Sequence, residues 1–145
     1  MSIKPIEILL VEDSLGDVEL IREGLIRSKL MSNVHVASDG VEAIAYLSGD
    51  GDHRDRPLPD LVLLDINLPK KNGHEVLAEM RNDDSLRDIP VVVLTTSDHD
   101  SDVLRAYQHH ANAYIQKPLS AVEFIQVVQK IERLGHLNST PSQTA

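Results

Sequence analysis

The sequence predicts an α/β fold, a parallel five-stranded sheet with helices on both faces. Three observations lead there. Short apolar runs of strand length recur at Ile6-Glu7-Ile8-Leu9-Leu10-Val11, Leu61-Val62-Leu63-Leu64, Val91-Val92-Val93-Leu94 and Ala113-Tyr114-Ile115-Gln116, and near-continuous runs suit strands covered on both faces. Amphipathic stretches of helix length separate them, the rhythm of repeated βαβ units. The runs also end in reactive residues: Glu12 and Asp13 after the first, Asp65 after the second, Thr95 after the third, Lys117-Pro118 after the last. An open parallel sheet binds its ligands at the carboxyl ends of its strands.

Each element follows from local pattern. After the first strand, Ser14 and Asp17 have capping-box-like spacing, and Val18, Ile21 and Leu25 give the first helix its apolar face. Residues 34–37 read as a short second strand. Asp39 caps the second helix with Glu42 in its first turn, and Val41, Ile44 and Leu47 are expected to face inward. Residues 48–59 are polar, with two Gly and two Pro and no apolar period, which predicts a surface loop. The third strand, 61–65, leads through Asn67-Leu68-Pro69-Lys70-Lys71-Asn72-Gly73 into a helix burying Val76, Leu77 and Met80. Pro90 precedes the fourth strand, and residues 100–110 read as a fourth helix with the thin face Val103, Ala106 and Tyr107. A fifth strand spans 113–116. Ser120 and Glu123 open the last helix, whose Phe124, Val127, Val128, Ile131 and Leu134 keep the period until Gly135. The expected organisation is one domain over 1–134 and a flexible polar tail over 135–145.

At 145 residues the chain is large enough for a real core without staples. Asp plus Glu number 23 against 14 Lys plus Arg, for a formal charge of -9. That sign argues against nucleic acid or an anionic membrane as partner. Absent cysteines remove disulfide and thiolate chemistry. With no signal-peptide core, lipidation motif or membrane-length apolar run, a cytoplasmic location is expected.

The polar set has a chemical logic. Mg²⁺ takes oxygen ligands and bridges carboxylates to phosphate. Asp13 and Asp65 can supply carboxylates, with Glu12 acting directly or through water. An aspartate can act as nucleophile and form an acyl phosphate. Beyond in-line placement, phosphoryl transfer chiefly needs its oxygens neutralised, a task for Mg²⁺ and Lys117, with the Thr95 hydroxyl as donor.

This ordered set resembles the receiver domain of two-component response regulators, over about residues 6–134. The resemblance rests on Glu12-Asp13, on Asp65 with Asn67-Leu68-Pro69 and Gly73, on Thr95, and on Lys117-Pro118. It implies a flavodoxin-like doubly wound sheet of strand order 2-1-3-4-5. It further implies phosphorylation of Asp65 by a sensor histidine kinase. Mg²⁺ would be bound by Glu12, Asp13, Asp65 and the backbone carbonyl of Asn67. Thr95 and Lys117 would contact the phosphoryl group, Tyr114 would be a switch residue linked to Thr95, and Asn67 and Ser97 would flank the approach of hydrolytic water. Segments 68–77, 93–97 and 107–115, with the loop His53-Arg54-Asp55-Arg56-Pro57, resemble more narrowly the single-domain regulators paired with cyanobacterial phytochromes. Glu12 stands where Asp is commoner in the family, His110 where Gly is common, and Leu119 where Phe is common.

Plainer readings exist for each residue alone. Asp13 could cap the first helix, and Tyr114 could be core packing. Adjacent residues His109 and His110 point about 100° apart on a helix and chelate poorly. Asp98-His99-Asp100-Ser101-Asp102 lacks the Gly and terminal Glu of a calcium loop, and Lys70-Lys71 reads as a solvated pair. A flavin carrier would need a phosphate site where Glu12-Asp13 stands, with only 3% aromatic residues to stack on the ring. An aspartyl-phosphate phosphatase would carry an acid at Asn67. The alternatives to a phosphorylation switch are a phosphorelay intermediate and an adaptor whose docking ignores phosphorylation. Self-association is expected through the predicted fourth helix, fifth strand and fifth helix, at Tyr107, His110, Ala111 and Asn112.

Overall fold

A computed structural model describes residues 5–28, 31–49, 55–95 and 111–116, together with Val122, Glu123, Ile125 and Gln126, which are helical. The predicted fourth helix and the 135–145 tail lie outside the described residues, as do His53, Ser97, Tyr107, His110 and Lys117. Five strands, β1 (Ile6–Val11), β2 (Ser32–Ala37), β3 (Leu61–Asp65), β4 (Val91–Thr95) and β5 (Ala113–Gln116), form one parallel sheet of order β2-β1-β3-β4-β5. This is the expected doubly wound order. The chain winds outward to β2 and then back across β1 toward β5, so the switch point falls between β1 and β3.

Alternation along the strands divides the core into two layers. Leu9, Val11, Val62, Leu64, Val91 and Val93 pack with helices α2 (Gly40–Ser48) and α3 (Gly73–Asn82). Ile8, Leu10, Leu61, Leu63, Val92 and Leu94 pack on the other face with Val18, Ile21 and Leu25 of α1 (Leu15–Arg27). Buried on both faces, β3 and β4 need no polar alternation, which is why they read as unbroken apolar runs. Glu7 is the exception in β1. Its carboxylate accepts from Asn33 Nδ2 at 2.8 Å and lies 3.2 Å from His35 Nε2, so β2 satisfies the charge laterally.

Two details depart from the pattern read above. The second strand begins at Ser32, because its backbone stays paired with β1 from Ile6↔Ser32 onward. Val41 does not face inward: it is 52% exposed, and Ala43, Tyr46 and Leu47 are the buried side chains of α2, with Ile44 partly buried against them. Gly40, whose β-carbon would lie 1.9 Å from the Lys71 carbonyl oxygen, faces the β3–α3 loop, and Val41, about 100° farther round the helix, faces solvent. Tyr46 closes that face, its hydroxyl donating to the Pro57 carbonyl at 3.3 Å.

Helix starts are set by side-chain caps. Ser14 Oγ accepts from Asp17 N at 3.3 Å, and Asp39 Oδ1 from Glu42 N at 2.7 Å. Asn72 and Glu75 make a reciprocal capping box on α3. Two glycines let backbones meet. A β-carbon on Gly73 would lie 2.5 Å from the Asp65 carbonyl oxygen, and one on Gly40 would lie 1.9 Å from that of Lys71. Gly16 faces open space apart from Ser14 Oγ at 3.9 Å. Gly73→Ala is therefore expected to lose about 1–3 kcal/mol in urea unfolding, the usual range for forced overpacking. Gly16→Ala is expected to be neutral or stabilising by up to about 1 kcal/mol. Equal effects of the two would contradict the contact at Gly73.

Candidate functional site

The reactive residues gather at the carboxyl edge of the sheet because register puts them there. Val11 pairs with Leu64 and Asp65 with Leu94, so Glu12, Asp65 and Thr95 finish three neighbouring strands at one level. Glu12 N extends the ladder to the Ala37 carbonyl at 3.0 Å, and Ile66 N does the same to Leu94 at 3.2 Å. These bonds fix the backbone on which the carboxylates stand.

Carboxylate oxygens of Glu12, Asp13 and Asp65 all lie within 4.8 Å of one another. Glu12 and Asp65 are buried, at 2% and 4% exposure, whereas Asp13 is open to solvent. Thr95 is wholly buried. Among the described residues, Glu12, Asp65, Thr95 and Ser28 are the buried polar or charged side chains outside the apolar core, and three of these four sit at this edge. Two unit charges 4.8 Å apart repel by roughly 3–4 kcal/mol at an effective dielectric near 20, so three ionised carboxylates here favour a cation between them. One exposed and two buried oxygen donors, open on the solvent side, fit a hard divalent ion that keeps water ligands. The donor set thus fits the expected metal.

Local hydrogen bonds orient the carboxylates. Ser14 N donates to Glu12 Oε2 at 3.3 Å, tying the first carboxylate to the start of α1. Asn67 N donates to Asp65 Oδ1 at 3.1 Å, folding the chain back on this carboxylate. Gly73 N then donates to the Ile66 carbonyl at 3.0 Å, seating α3 under the end of β3. Between them Lys70 adopts φ 65°, a left-handed conformation that costs a residue with a β-carbon roughly 1–2 kcal/mol.

Lys70 is largely solvated, as the sequence suggests, with its side chain 69% exposed, whereas Lys71 is mostly covered, and both have carboxylate partners. Lys70 Nζ lies 3.5 Å from Asp39 Oδ2, and Lys71 pairs with Glu79. The Asn72–Glu75 box and the Asp39–Lys70 pair were missed in the sequence. The box has a visible Asn-x-x-Glu signature, but the ion pair joins residues 31 positions apart and has none.

Tyr114 on β5 is 48% exposed, so it is not a fully buried core residue. Asn112 of the expected self-association face is engaged inward: its Oδ1 accepts from Val91 N at 2.8 Å and from Arg81 at 3.1 Å. Ala111 packs against the core. A mostly apolar groove of about 450 Å³, lined by Pro5, Arg22, Ile26, Met31 and Val34 among others, lies at the opposite, amino end of the strands. Among the described residues no helix is long and apolar enough to cross a membrane.

The family profile described as the response regulator receiver domain matches residues 8–129. Response regulator Rcp1 of Synechocystis sp. is 44% identical over 128 residues, covering 88% of this chain and 87% of that protein. The Mn(2+)-bound form of Rcp1 superposes with a TM-score of 0.72, over 88% of this chain and 92% of the other. The phosphorylated cyanobacterial phytochrome response regulator RcpA is 44% identical with a TM-score of 0.75, covering 94% and 96% of the two chains. The bacteriophytochrome response regulator RtBRR is 44% identical with a TM-score of 0.81, covering 88% and 78%.

The Glu42 amide holds the Asp39 carboxyl below its ordinary 3.8, and Lys70 adds to this against the opposing effect of burial. A depressed folded pKa means that the ionised cap stabilises the fold above about pH 4, and that this contribution is lost as pH falls through the lowered value. Asn caps a helix about as well as Asp but does not titrate. Asp39→Asn is therefore expected to flatten the acid limb of stability measured by urea unfolding between pH 5 and 2. An unchanged slope would contradict the assignment.

Proposed function

This chain belongs to the response regulator receiver family, and we propose that it is a phosphorylation switch whose acceptor is Asp65. The donor is the phosphohistidine of a sensor histidine kinase, and the resemblance to Rcp1, RcpA and RtBRR favours one of phytochrome type. Such a kinase would meet it in the cytoplasm. The observation that carries this reading is the burial of Asp65 at the end of β3 with carboxylate oxygens of Glu12 and Asp13 within 4.8 Å.

In the proposed transfer, an Asp65 carboxylate oxygen attacks phosphorus and an acyl phosphate bond forms. The bond from phosphorus to the donor imidazole nitrogen breaks, and the imidazole leaves with the electron pair and takes a proton. Mg²⁺ held by Glu12, Asp13, Asp65 and the Asn67 carbonyl would neutralise charge on the carboxylates and the phosphoryl oxygens. Thr95 would donate its hydroxyl to the phosphoryl group, and Lys117, following β5 directly, would supply the second cation. Asn67 and Ser97 would set the lifetime of the acyl phosphate by flanking the path of water.

The change then travels from Thr95 along the β4–β5 pairing, where Thr95 stands opposite Gln116 and Val93 opposite Tyr114. A phosphoryl group that draws Thr95 inward favours one arrangement of β5 and Tyr114, which shifts a two-state population. The surface so altered would bind a partner or a second copy of the chain through the expected fourth-helix, fifth-strand and fifth-helix face.

Incubation with acetyl phosphate and Mg²⁺ should add one phosphoryl group, read as intact mass. Asp65→Asn should abolish the addition. EDTA should slow it by roughly two orders of magnitude or more, as expected when several kcal/mol of charge stabilisation is withdrawn. Label retained in Asp65→Asn would overturn the acceptor. Normal labelling that leaves partner or self-association unchanged would point to a phosphorylation-independent adaptor.

A further inference from the structure

The loop between β3 and α3, residues 66–72, carries Asn67 and therefore shapes the edge of the carboxylate site. Part of its form is self-supported. Asn67 N reaches Asp65 Oδ1, Lys71 N donates to the Pro69 carbonyl at 2.7 Å, and Leu68 is buried. Lys70 sits at the centre of the three-residue turn that the Lys71 N–Pro69 bond closes, with φ 65°, a conformation that its β-carbon disfavours.

Support comes from a separate element. The Asp39-Gly40 segment at the start of α2 touches this half of the loop twice. Gly40 backs onto the Lys71 carbonyl so closely that a β-carbon would lie 1.9 Å from the oxygen. Asp39 Oδ2 lies 3.5 Å from Lys70 Nζ, while Oδ1 accepts from Glu42 N at 2.7 Å. The two partners are unequal: the Asp39 side chain is 14% exposed and that of Lys70 is 69% exposed. Asp39 is the fixed end, anchored by its own helix, and Lys70 is the end being held.

We propose that Asp39, which lies outside the carboxylate cluster, is a positioning residue for the metal-binding edge. By pairing with Lys70 in its left-handed conformation, it holds the loop that supplies the Asn67 carbonyl. This rests on the reading that Asn67 and the three carboxylates bind a divalent cation. The account differs from a simple charge effect. As one more acidic group near the site, Asp39 would attract a cation whatever residue stands at 70, whereas a positioning role exists only while residue 70 needs holding.

A double-mutant cycle on the full chain separates the two. Mg²⁺ titrations followed by backbone amide NMR are made on wild type, Asp39→Asn, Lys70→Gly and the double variant. Asn keeps the helix cap, and glycine takes a left-handed φ unaided. Asp39→Asn is expected to weaken Mg²⁺ binding about two- to fivefold with lysine at 70, the scale of a lost surface ion pair. It should have no effect with glycine at 70. Without metal, amide exchange at Lys71 and Gly73 should quicken in Asp39→Asn and return to the wild-type rate in the double variant. An equal loss of affinity in both backgrounds, or no loss in either, would overturn the positioning role while leaving the cation site intact. Absence of Mg²⁺ binding in the wild type would overturn the cation reading and this inference with it.

Discussion

Two carboxylates kept almost wholly out of water beside a third is the constraint around which this fold is arranged. Glu12 and Asp65 are buried by the strands they terminate, and Asp13 completes the group from the solvent side. Burying ionised groups together is unfavourable unless something of opposite charge joins them. The cluster therefore favours a cation between its carboxylates, and in the proposed switch a phosphoryl group would approach Asp65 once that negative field is offset.

The surrounding structure keeps the cluster from relaxing. The sheet is covered on both faces along β1, β3 and β4, so the strand ends cannot splay without exposing core. Gly73 brings α3 against the Asp65 carbonyl, the Asn72–Glu75 box fixes where that helix begins, and Asn67 folds back onto the Asp65 carboxylate. At the opposite end of the sheet, Arg81 donates to the Arg87 and Ile89 carbonyls and to Asn112, which in turn accepts from Val91 N. The entries to β4 and β5 are thus clamped together at the amino end. Under the proposed switch, movement of Thr95 at the carboxyl end would be carried by a sheet whose far end is pinned.

Much of this was legible in the chain. Strands buried on both faces show themselves as runs such as Val91-Val92-Val93-Leu94, and Ser14 and Asp39 announce helix starts by residue type and spacing. The acidic pair, Asp65 and Thr95 were found because parallel sheets place chemistry at strand ends. Val41 was misassigned because periodicity gives the width of an apolar face but not its rotation, which here sets Gly40 against the Lys71 carbonyl and Val41 toward solvent. The Asp39–Lys70 pair escaped notice because a left-handed lysine leaves no mark in sequence; a glycine at that position would have announced the turn. Core packing was the stronger plain reading of Tyr114, since an aromatic residue on a strand pattern suits a core, and its 48% exposure argues against that reading without bearing on the switch.

The central claim is that Asp65, in a cation-loaded carboxylate site, governs the state of β4 and β5. Amide NMR spectra with Mg²⁺ and beryllofluoride, a phosphoryl mimic, test it most directly. The account predicts shifts at Asp65 and Asn67 that extend through Thr95 to Tyr114 and Ile115, that require Mg²⁺, and that vanish in Asp65→Asn. Shifts that persist in Asp65→Asn, or that stop at the carboxylates and leave β5 unmoved, would contradict it.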